Sequence, residues 1–415
     1  MLTAQRVQEA PLLKSTYLSQ LNAEPGVIAQ PSTVAEAASV VEAAGADGRA
    51  IIPWGGGTGQ AYGYFPQRAD ILLDLTRLTR VIAVEPGDLT ITVEAGATLS
   101  DVQTTLAPHN QFLPLDPPSP ERATIGGILA TDAFGPSRPH YGKARDYLIG
   151  LTVIDAQGRL VKGGGKVVKN VTGYDTPKLH IGGLGTLGVL VEATFKVMPR
   201  PETSSPALFE LEAEMPAATV AAFLHRVCAE TAPALRLLRD EGGRRIVAFL
   251  YSGAPPVVKD ARAQAHEIAA RQRIAALRSL PRGMESAFSA RAAPADALVV
   301  RVAGLPADEY ARHEALARTL GPILQRIDTY PGSGEALLVL SGDFEVVAAA
   351  RHLIGWAGES AARVAFVQAP AALRDPAAGI PLWSPLPPSL RLMRRLKETL
   401  DPAGILNPGR FLDGL

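Results

Sequence analysis

Cysteine is nearly absent from this chain: Cys228 is the only one in 415 residues. A single thiol excludes an internal disulfide framework and any four-thiolate zinc or iron–sulfur site built by this chain alone. It fits a reducing compartment. Net charge is missing too, because Lys+Arg and Asp+Glu number 41 each, so no overall field draws nucleic acid or an anionic bilayer. No stretch approaches the roughly 18 unbroken apolar residues of a membrane span, and the first twenty residues hold no signal-peptide core. A cytoplasmic protein is expected, with peripheral attachment at the inner face of the cell membrane through partners left open. The seven histidines, His109, His140, His180, His225, His266, His313 and His352, are scattered singly. No two sit at metal-ligand spacing, so no metal site is assigned.

What remains is ample for a globular protein. The hydrophobic share is 47%, and 415 residues exceed the usual size of one core, so two domains and a smaller third piece are expected. Residues 33–44 carry apolar positions at helical spacing, and RAIIPWGGG reads as a short buried strand entering a turn. ADILLDL and LTITVEAGA are β-rich, with Glu85-Pro86-Gly87-Asp88 as turn punctuation, and residues 99–106 read as a helix. LTVIDAQGRLV reads as a hairpin and VLVEATFKVM as a strand closed by prolines. This mixture favours α+β over a regular alternation of strand and helix. Beyond Pro199-Arg200-Pro201-Glu202 the texture changes. Helices are expected at 216–230, 257–279, 307–320 and 343–354, interleaved with RRIVAFLYS, ALVVRVAG and ALLVLSG, which suggests an antiparallel sheet covered by helices on one face. Residues 371–388 read as loop, and 390–400 as a last helix.

Chemistry concentrates where glycine does. In Pro53-Trp54-Gly55-Gly56-Gly57-Thr58-Gly59-Gln60, consecutive glycines let backbone N–H groups converge without side-chain obstruction, which suits an anion such as a phosphate. A tight turn is the plainer reading of that stretch alone. It is no Walker loop, since GxxxxGK[ST] fails. At 182–188, GGLGTLG satisfies GxGxxG through Gly183, Gly185 and Gly188. It runs into a strand rather than opening a helix, so dinucleotide binding of the Rossmann kind is rejected. The third segment, Thr124-Ile125-Gly126-Gly127-Ile128-Leu129-Ala130-Thr131-Asp132, reads in isolation as a packed helix start. Three such segments within 140 residues point together to one large, extended ligand.

PWGGGTG, TIGGILATDAFGPSRPHYG, KVVKNVTGYDTPKLHIGGLGTLGVLVEATFKVMPRP and LDPAGILNPGRF together resemble the vanillyl-alcohol-oxidase-type (PCMH-type) FAD-binding superfamily. Within it they are most similar to the branch of glycolate oxidase FAD-binding E subunits. The resemblance covers residues 20–202 and 390–415; the middle agrees by position and length. It implies a two-lobed PCMH-type FAD-binding domain at 1–202, an α+β cap domain at 203–380, and a C-terminal segment, 381–415, returning to complete the site. By the same resemblance the loop at residues 53–60 wraps the FAD diphosphate. Gly126, Gly127, Thr131 and Asp132 approach the ribityl chain and flavin, with Thr124 beside them. Gly185, Thr186, Gly188 and Val189 meet the adenine or flavin edge, and Asn407 and Arg410 close the site. Asp116, Pro117, Arg138, Tyr141 and Gly142 are assigned to the cofactor as well. Relatives that bond FAD covalently carry a His just after the first glycines. This chain reads GGGTGQAYGY there, which implies noncovalent FAD.

No catalytic residue is assigned. Oxidising a 2-hydroxy acid needs a cation for the carboxylate and a base or metal-bound alkoxide for the hydroxyl, and related dehydrogenases resemble one another in a histidine-rich metal cluster that this sequence lacks. His140 with Arg138, Tyr141 and Arg145 is the best remaining polar group, and its plainer reading is a basic surface loop pairing with Asp146. Lys166, Lys169, Tyr174 and Asp175 read as loop-fixing or subunit-contact residues, and the Arg-rich helix at 257–279 as a solvated face. A reduced flavin also needs an electron exit, and no nicotinamide motif or thiolate relay is present. The resemblance implies partners that supply one: a larger FAD subunit and an iron–sulfur subunit of a glycolate oxidase complex handling a small 2-hydroxy acid. Two rivals stay open, an autonomous FAD-dependent 2-hydroxy acid oxidoreductase and a scaffold that has lost the cofactor.

Overall fold

A computed structural model describes residues 21–22, 24–165, 175–279, 290–342 and 345–415. The first lobe is a parallel sheet with the strands in the order Val27–Ala29, Ile71–Asp74, Ile51–Trp54. A parallel pair needs a crossover, and the helix Val34–Asp47 supplies one between the first two of these in sequence. Thr33 caps its start, accepting from the Glu36 N–H at 3.2 Å, and Gly48 ends it at φ 64°. The C-terminal chain runs beside the edge strand, where Ile51 N–H donates to Ile405 O at 2.7 Å and Asn407 N–H to Ile51 O at 2.8 Å.

The second lobe is an antiparallel sheet ordered Val81–Glu85, Thr90–Glu94, Val189–Lys196, Leu148–Ile154, Leu160–Gly164. The expected helix at Leu99–Leu106 and a seven-residue helix at Ile125–Thr131 pack on it through Ile91, Val93, Leu99, Val102, Ile125, Leu129 and Phe195. Val189, Val191 and Ile154 point the other way and join Val41, Ile51, Leu73, Ile405 and Leu406 in a core shared with the first lobe. The register with Leu148–Ile154 shifts at Val191, and this irregularity puts Val189 and Val191 in one core and Ala193 and Phe195 in the other.

A nine-stranded antiparallel sheet follows. Residues directly opposite across paired strands share a face, and Phe209, Val247, Leu238, Ile327, Leu338, Val300 and Phe366 lie on one. Against it pack the helices Ala217–Thr231, Pro255–Arg271, Glu309–Leu320 and Val346–Glu359. The other face, with Leu208, Leu237, Ala248, Leu337 and Tyr330, receives Phe134 from the second lobe. Phe134 and Tyr330 meet edge to face, with ring centroids 5.8 Å apart. Helices on one face and a lobe on the other make this sheet a wall above the first two lobes. The architecture is the expected α+β.

Two helices differ from their expected limits. The one expected at 257–279 stops at Arg271, because Arg273 takes φ 60° and buried Ile274 turns the chain, so that Ala275–Leu277 pairs as an edge strand with Leu208–Glu210. The one expected at 343–354 spans Val346–Glu359. The stretch expected to be loop holds a short helix, Ala371–Arg374, and the edge strand Trp383–Ser384. Among the described residues no helix is long and apolar enough to cross a membrane.

Candidate cofactor site

The strand Ile51–Trp54 ends in the glycine loop, and the loop lies flat on residues 122–131 of the second lobe. A Cβ on Gly56 would stand 1.7 Å from Arg122 O, one on Gly55 2.3 Å from Thr124 Oγ1, and one on Gly59 2.6 Å from the Thr131 methyl. The chain's own packing therefore demands these glycines before any ligand does. The tight-turn reading holds, and it is compatible with binding. Among the described residues no carbonyl accepts from the N–H groups of Gly55, Gly56, Gly57 or Thr58. Unpaired main-chain donors converging without side chains attract an anion.

The helix Ile125–Thr131 contributes differently from its glycine-rich sequence. Its first amides are taken up by the chain itself: Ile125 N–H donates to Ala97 O at 2.9 Å, Gly126 N–H to Ala95 O at 2.8 Å, and Gly127 N–H to Thr124 Oγ1 at 3.3 Å. A packed helix start is correct, and the segment offers a smooth wall of Gly126, Gly127, Ala130 and Thr131 rather than donors. Across from it, Leu184 N–H donates to Ala130 O at 2.9 Å, and Gly185, at φ 73°, lets the backbone pass Pro53, whose ring carbon would be 3.2 Å from a Cβ.

The C-terminal turn closes the third side. Asn407 Nδ2 donates to Leu184 O at 2.6 Å, while Arg410 Nε donates to Tyr62 O at 3.0 Å and its Nη2 to Gln60 Oε1 at 2.9 Å. The turn is held from behind by Lys397, whose Nζ reaches Thr186 O and Leu406 O at 2.8 Å each and Asp401 at 2.6 Å. Together these walls border one cleft open to solvent, lined by residues 53–60, Thr124, Gly126, Gly127, Thr131, Gly185, Asn407 and Arg410. Its remaining lining, Leu75, Ala95, Ala130, Leu184 and Leu190, escaped the sequence reading. Nothing in an ordinary small or branched apolar residue distinguishes a cleft wall from a core.

The other expected site residues lie outside the cleft lining. Thr186 is buried and its hydroxyl donates to Gly183 O at 2.7 Å; Gly188 packs against His180, and Val189 belongs to the shared core. Asp132 accepts from Lys143 Nζ at 3.1 Å. Gly142 takes φ 87° beside Asp146, and Tyr141 packs edge to face on Phe112. Pro117 is buried next to Asp116, whose Oδ2 accepts from Ser137 N–H at 2.7 Å and whose carboxyl burial pushes up to about 6. The basic loop does not pair with Asp146 as expected: Asp146 accepts from Lys143 N–H, and Arg138 reaches across to Glu335 on the nine-stranded sheet while stacking on Phe134. Sequence neighbours in a loop are poor guides to ion pairs when a second domain lies within reach. His140 rests against the Tyr141 ring, and burial, then the Arg236 charge, lowers its pKa. Residues 166–174, with Lys166, Lys169 and Tyr174, lie outside the described residues; Asp175 pairs with Lys178. No group of three or more metal-ligating side chains occurs among the described residues.

Comparison with known proteins agrees with this geometry. Residues 25–164 match the family model described as FAD binding domain, and residues 386–411 that described as FAD linked oxidases, C-terminal domain. Over 158 residues the chain is 36% identical to glycolate oxidase subunit GlcD of Bacillus subtilis, and over 133 residues 40% identical to glycolate oxidase subunit GlcE of Escherichia coli. A D-2-hydroxyglutarate dehydrogenase of Xanthomonas citri is 35% identical over 168 residues. These alignments cover 38%, 32% and 40% of this chain, and only 34%, 38% and 36% of the respective relatives. An alkyldihydroxyacetonephosphate synthase structure superposes with a TM-score of 0.69 at 18% identity, over 92% of this chain and 76% of its own. The fold is thus the PCMH-type FAD-binding fold, and FAD is the cofactor for which it is built. The residues fit that group, with unpaired amides for a diphosphate and a buried guanidinium, that of Arg410, in the same cleft.

Proposed function

We propose that this chain is the FAD-binding subunit, of the glycolate oxidase E type, of a multi-subunit glycolate (2-hydroxy acid) dehydrogenase. On this reading residues 1–202 and 381–415 hold FAD noncovalently and residues 203–380 form the cap. The amides of Gly55, Gly56, Gly57 and Thr58 hold the diphosphate, and the Gly126, Gly127 and Thr131 wall and Gly185 flank the extended cofactor. Bound there, FAD supplies hydride acceptance and electron transfer. This chain's own residues position the cofactor and exclude water, with the Arg138–Glu335 and Phe134–Tyr330 contacts sealing the cap against the second lobe. Electrons pass to a larger FAD-binding subunit and an iron–sulfur subunit in the cytoplasm, and the main substrate-oxidising site lies on the larger subunit. The observation that carries the proposal is the cleft itself, where unpaired glycine amides, a side-chain-free helix wall and the C-terminal turn face one volume.

A second reading, an autonomous FAD-dependent oxidoreductase of a 2-hydroxy acid, draws on the similarity to single-chain dehydrogenases such as that of Xanthomonas citri. One experiment separates the readings. The purified chain is expected to show the flavin visible spectrum and negligible oxidation of glycolate or D-lactate with an artificial acceptor, regaining turnover when its partner subunits are added. Robust turnover by the chain alone overturns the subunit reading. A colourless protein that FAD cannot reconstitute overturns both and leaves a scaffold.

A further inference from the structure

The five-stranded sheet of the second lobe ends at the strand Leu160–Gly164, and among the described residues no strand flanks its outer side. Its ladder with Leu148–Ile154 fixes which backbone groups face out. Asp155 N–H donates to Arg159 O at 3.0 Å, and Gly165 N–H to Ile149 O at 2.9 Å. Hydrogen-bonded partners recur at every second residue of an antiparallel pair, so Val153 with Val161 and Leu151 with Gly163 are the bonded pairs between those two ends. The N–H and C=O groups of Leu160 and Lys162 therefore point to the open edge, where no backbone group takes them up among the described residues. Such an edge is a template for another strand unless proline, a bulge or charge blunts it. The opposite edge of the sheet, Val81–Glu85, carries a register break between Val81 and Ala83. Leu160–Gly164 has no proline, an unbroken register and one charge, Lys162, while Leu160 and Val161 are 48% and 45% exposed.

The edge matches a second copy of itself in one register. Outward-facing residues must bond outward-facing residues, and a two-fold axis allows two short registers that do so. Centred on Lys162, the axis sets two ammonium groups directly opposite each other, which is unfavourable. Centred on Val161, it bonds Leu160 to Lys162 of the second copy and brings the two Val161 side chains together as a non-hydrogen-bonded pair, the kind in which side chains come closest. Leu160 lies opposite Ile154 and shares its face, the face on which Ile154 packs with Val41 and Ala44 of the helix Val34–Asp47. Glu42 of that helix is exposed and has no ion pair among the described residues. It lies against Gly158 at the head of the edge strand, where a Cβ would stand 2.5 Å from its own. A carboxylate is thus offered on the side that Lys162 of the second copy takes.

We propose that two copies of this chain pair through Leu160–Gly164, antiparallel and centred on Val161, so that their second-lobe sheets join into one continuous sheet. The two outward pairs of Leu160 and Lys162 supply the backbone bonds, the paired Val161 side chains supply apolar contact, and Glu42 meets Lys162 across the axis. The pairing is independent of the cofactor.

Light scattering of the purified full chain over a wide range of concentration is expected to show a monomer–dimer equilibrium. Lys162→Pro removes an outward N–H and no bond of the internal ladder, so it should weaken dimerisation by about tenfold or more with an unchanged circular dichroism spectrum. Cross-linking reads the register. In a Cys228→Ser background, which leaves no other thiol, Val161→Cys with oxidised glutathione should give a covalent dimer, because opposed Cα atoms of a non-hydrogen-bonded pair lie about 4.5 Å apart. Lys162→Cys should cross-link far more slowly, since its counterpart lies about 7–8 Å away on the diagonal. A chain that stays monomeric at every concentration overturns the proposal, even where it assembles with a different subunit. A dimer that Lys162→Pro leaves intact, or equal cross-linking at both positions, overturns it as well. Should Lys162→Pro fail to fold, the cross-linking comparison decides by itself. None of these outcomes bears on FAD binding, which the visible spectrum tests separately.

Discussion

Arg239 Nε lies 2.6 Å from Asp328 Oδ1, on the face of the nine-stranded sheet turned toward the second lobe, with both side chains almost wholly enclosed. Their Nη2–Oδ2 contact, at 3.0 Å, makes the pair bidentate. Arg326 lies 3.1 Å from the same carboxylate. Removing Asp328 strands both guanidinium groups away from water, which costs about 3–5 kcal/mol. Asp328→Leu is expected to lower the unfolding free energy in urea by that amount, while Arg239→Met, which leaves Asp328 with Arg326, costs less. A double variant, Arg239→Met with Asp328→Leu, whose loss equals the sum of the two single losses would show that the pair is not coupled.

Asp116 makes stability fall with rising pH. Burial lifts its carboxyl from the ordinary value to about 6, so the folded state binds a proton that the unfolded state has already released. Stability from this group is fully present below the unfolded pKa near 4 and is lost as pH rises through 6. Asp116→Asn keeps an acceptor for Ser137 N–H and never ionises. It should be more stable than wild type at pH 7.5 by about 1–3 kcal/mol, with the difference vanishing near pH 4. A gap that persists at pH 4 in thermal melts would refute this origin.

Gly56 separates packing from binding. A Cβ there collides with Arg122 O, so Gly56→Ala should lower the melting temperature of the cofactor-free protein as well as its FAD affinity, at a cost of about 1–3 kcal/mol. Thr58, exposed at the same loop, tolerates Ala with little loss of stability. Gly56→Ala that melts like wild type without FAD would remove the packing role.

Lys397 ties the last helix to the C-terminal turn and to Thr186. Its Nζ meets Asp401, whose oxygens also accept from Ile405 N–H at 3.0 Å and Leu406 N–H at 2.8 Å. Lys397→Met is expected to cost about 3 kcal/mol and to raise proteolytic cleavage within residues 401–411, with weaker FAD retention as a consequence. Unchanged cleavage would show that the turn is held without the lysine.

Local chemistry made a good part of this protein readable. The helix at Leu99–Leu106 follows from a Thr cap and apolar spacing, and the helix at Leu390–Leu400 from spacing alone. The strands Ile51–Trp54 and Val189–Lys196 follow from β-branched runs ended by glycine or proline. The three glycine segments were visible because unusual composition survives without coordinates. Less visible was how each segment contributes: Gly126 and Gly127, whose amides go to Ala95 O and Thr124 Oγ1, offer a smooth wall, whereas the amides of residues 55–58 stay unpaired. Asp116, Arg138 and Thr186 read as cofactor residues, and the contacts they make in the structure are to the lobe, the cap and the C-terminal helix.

Composition, turn residues and period determined the mixed architecture and the position of the cleft's glycines, since these depend on neighbours a few residues away. Tertiary structure alone decided that Asn407 and Arg410 end beside residues 53–62, that Arg138 finds Glu335, and which amides remain unpaired. Those outcomes join groups up to hundreds of residues apart, and burial and charge act through space, where sequence distance carries no information.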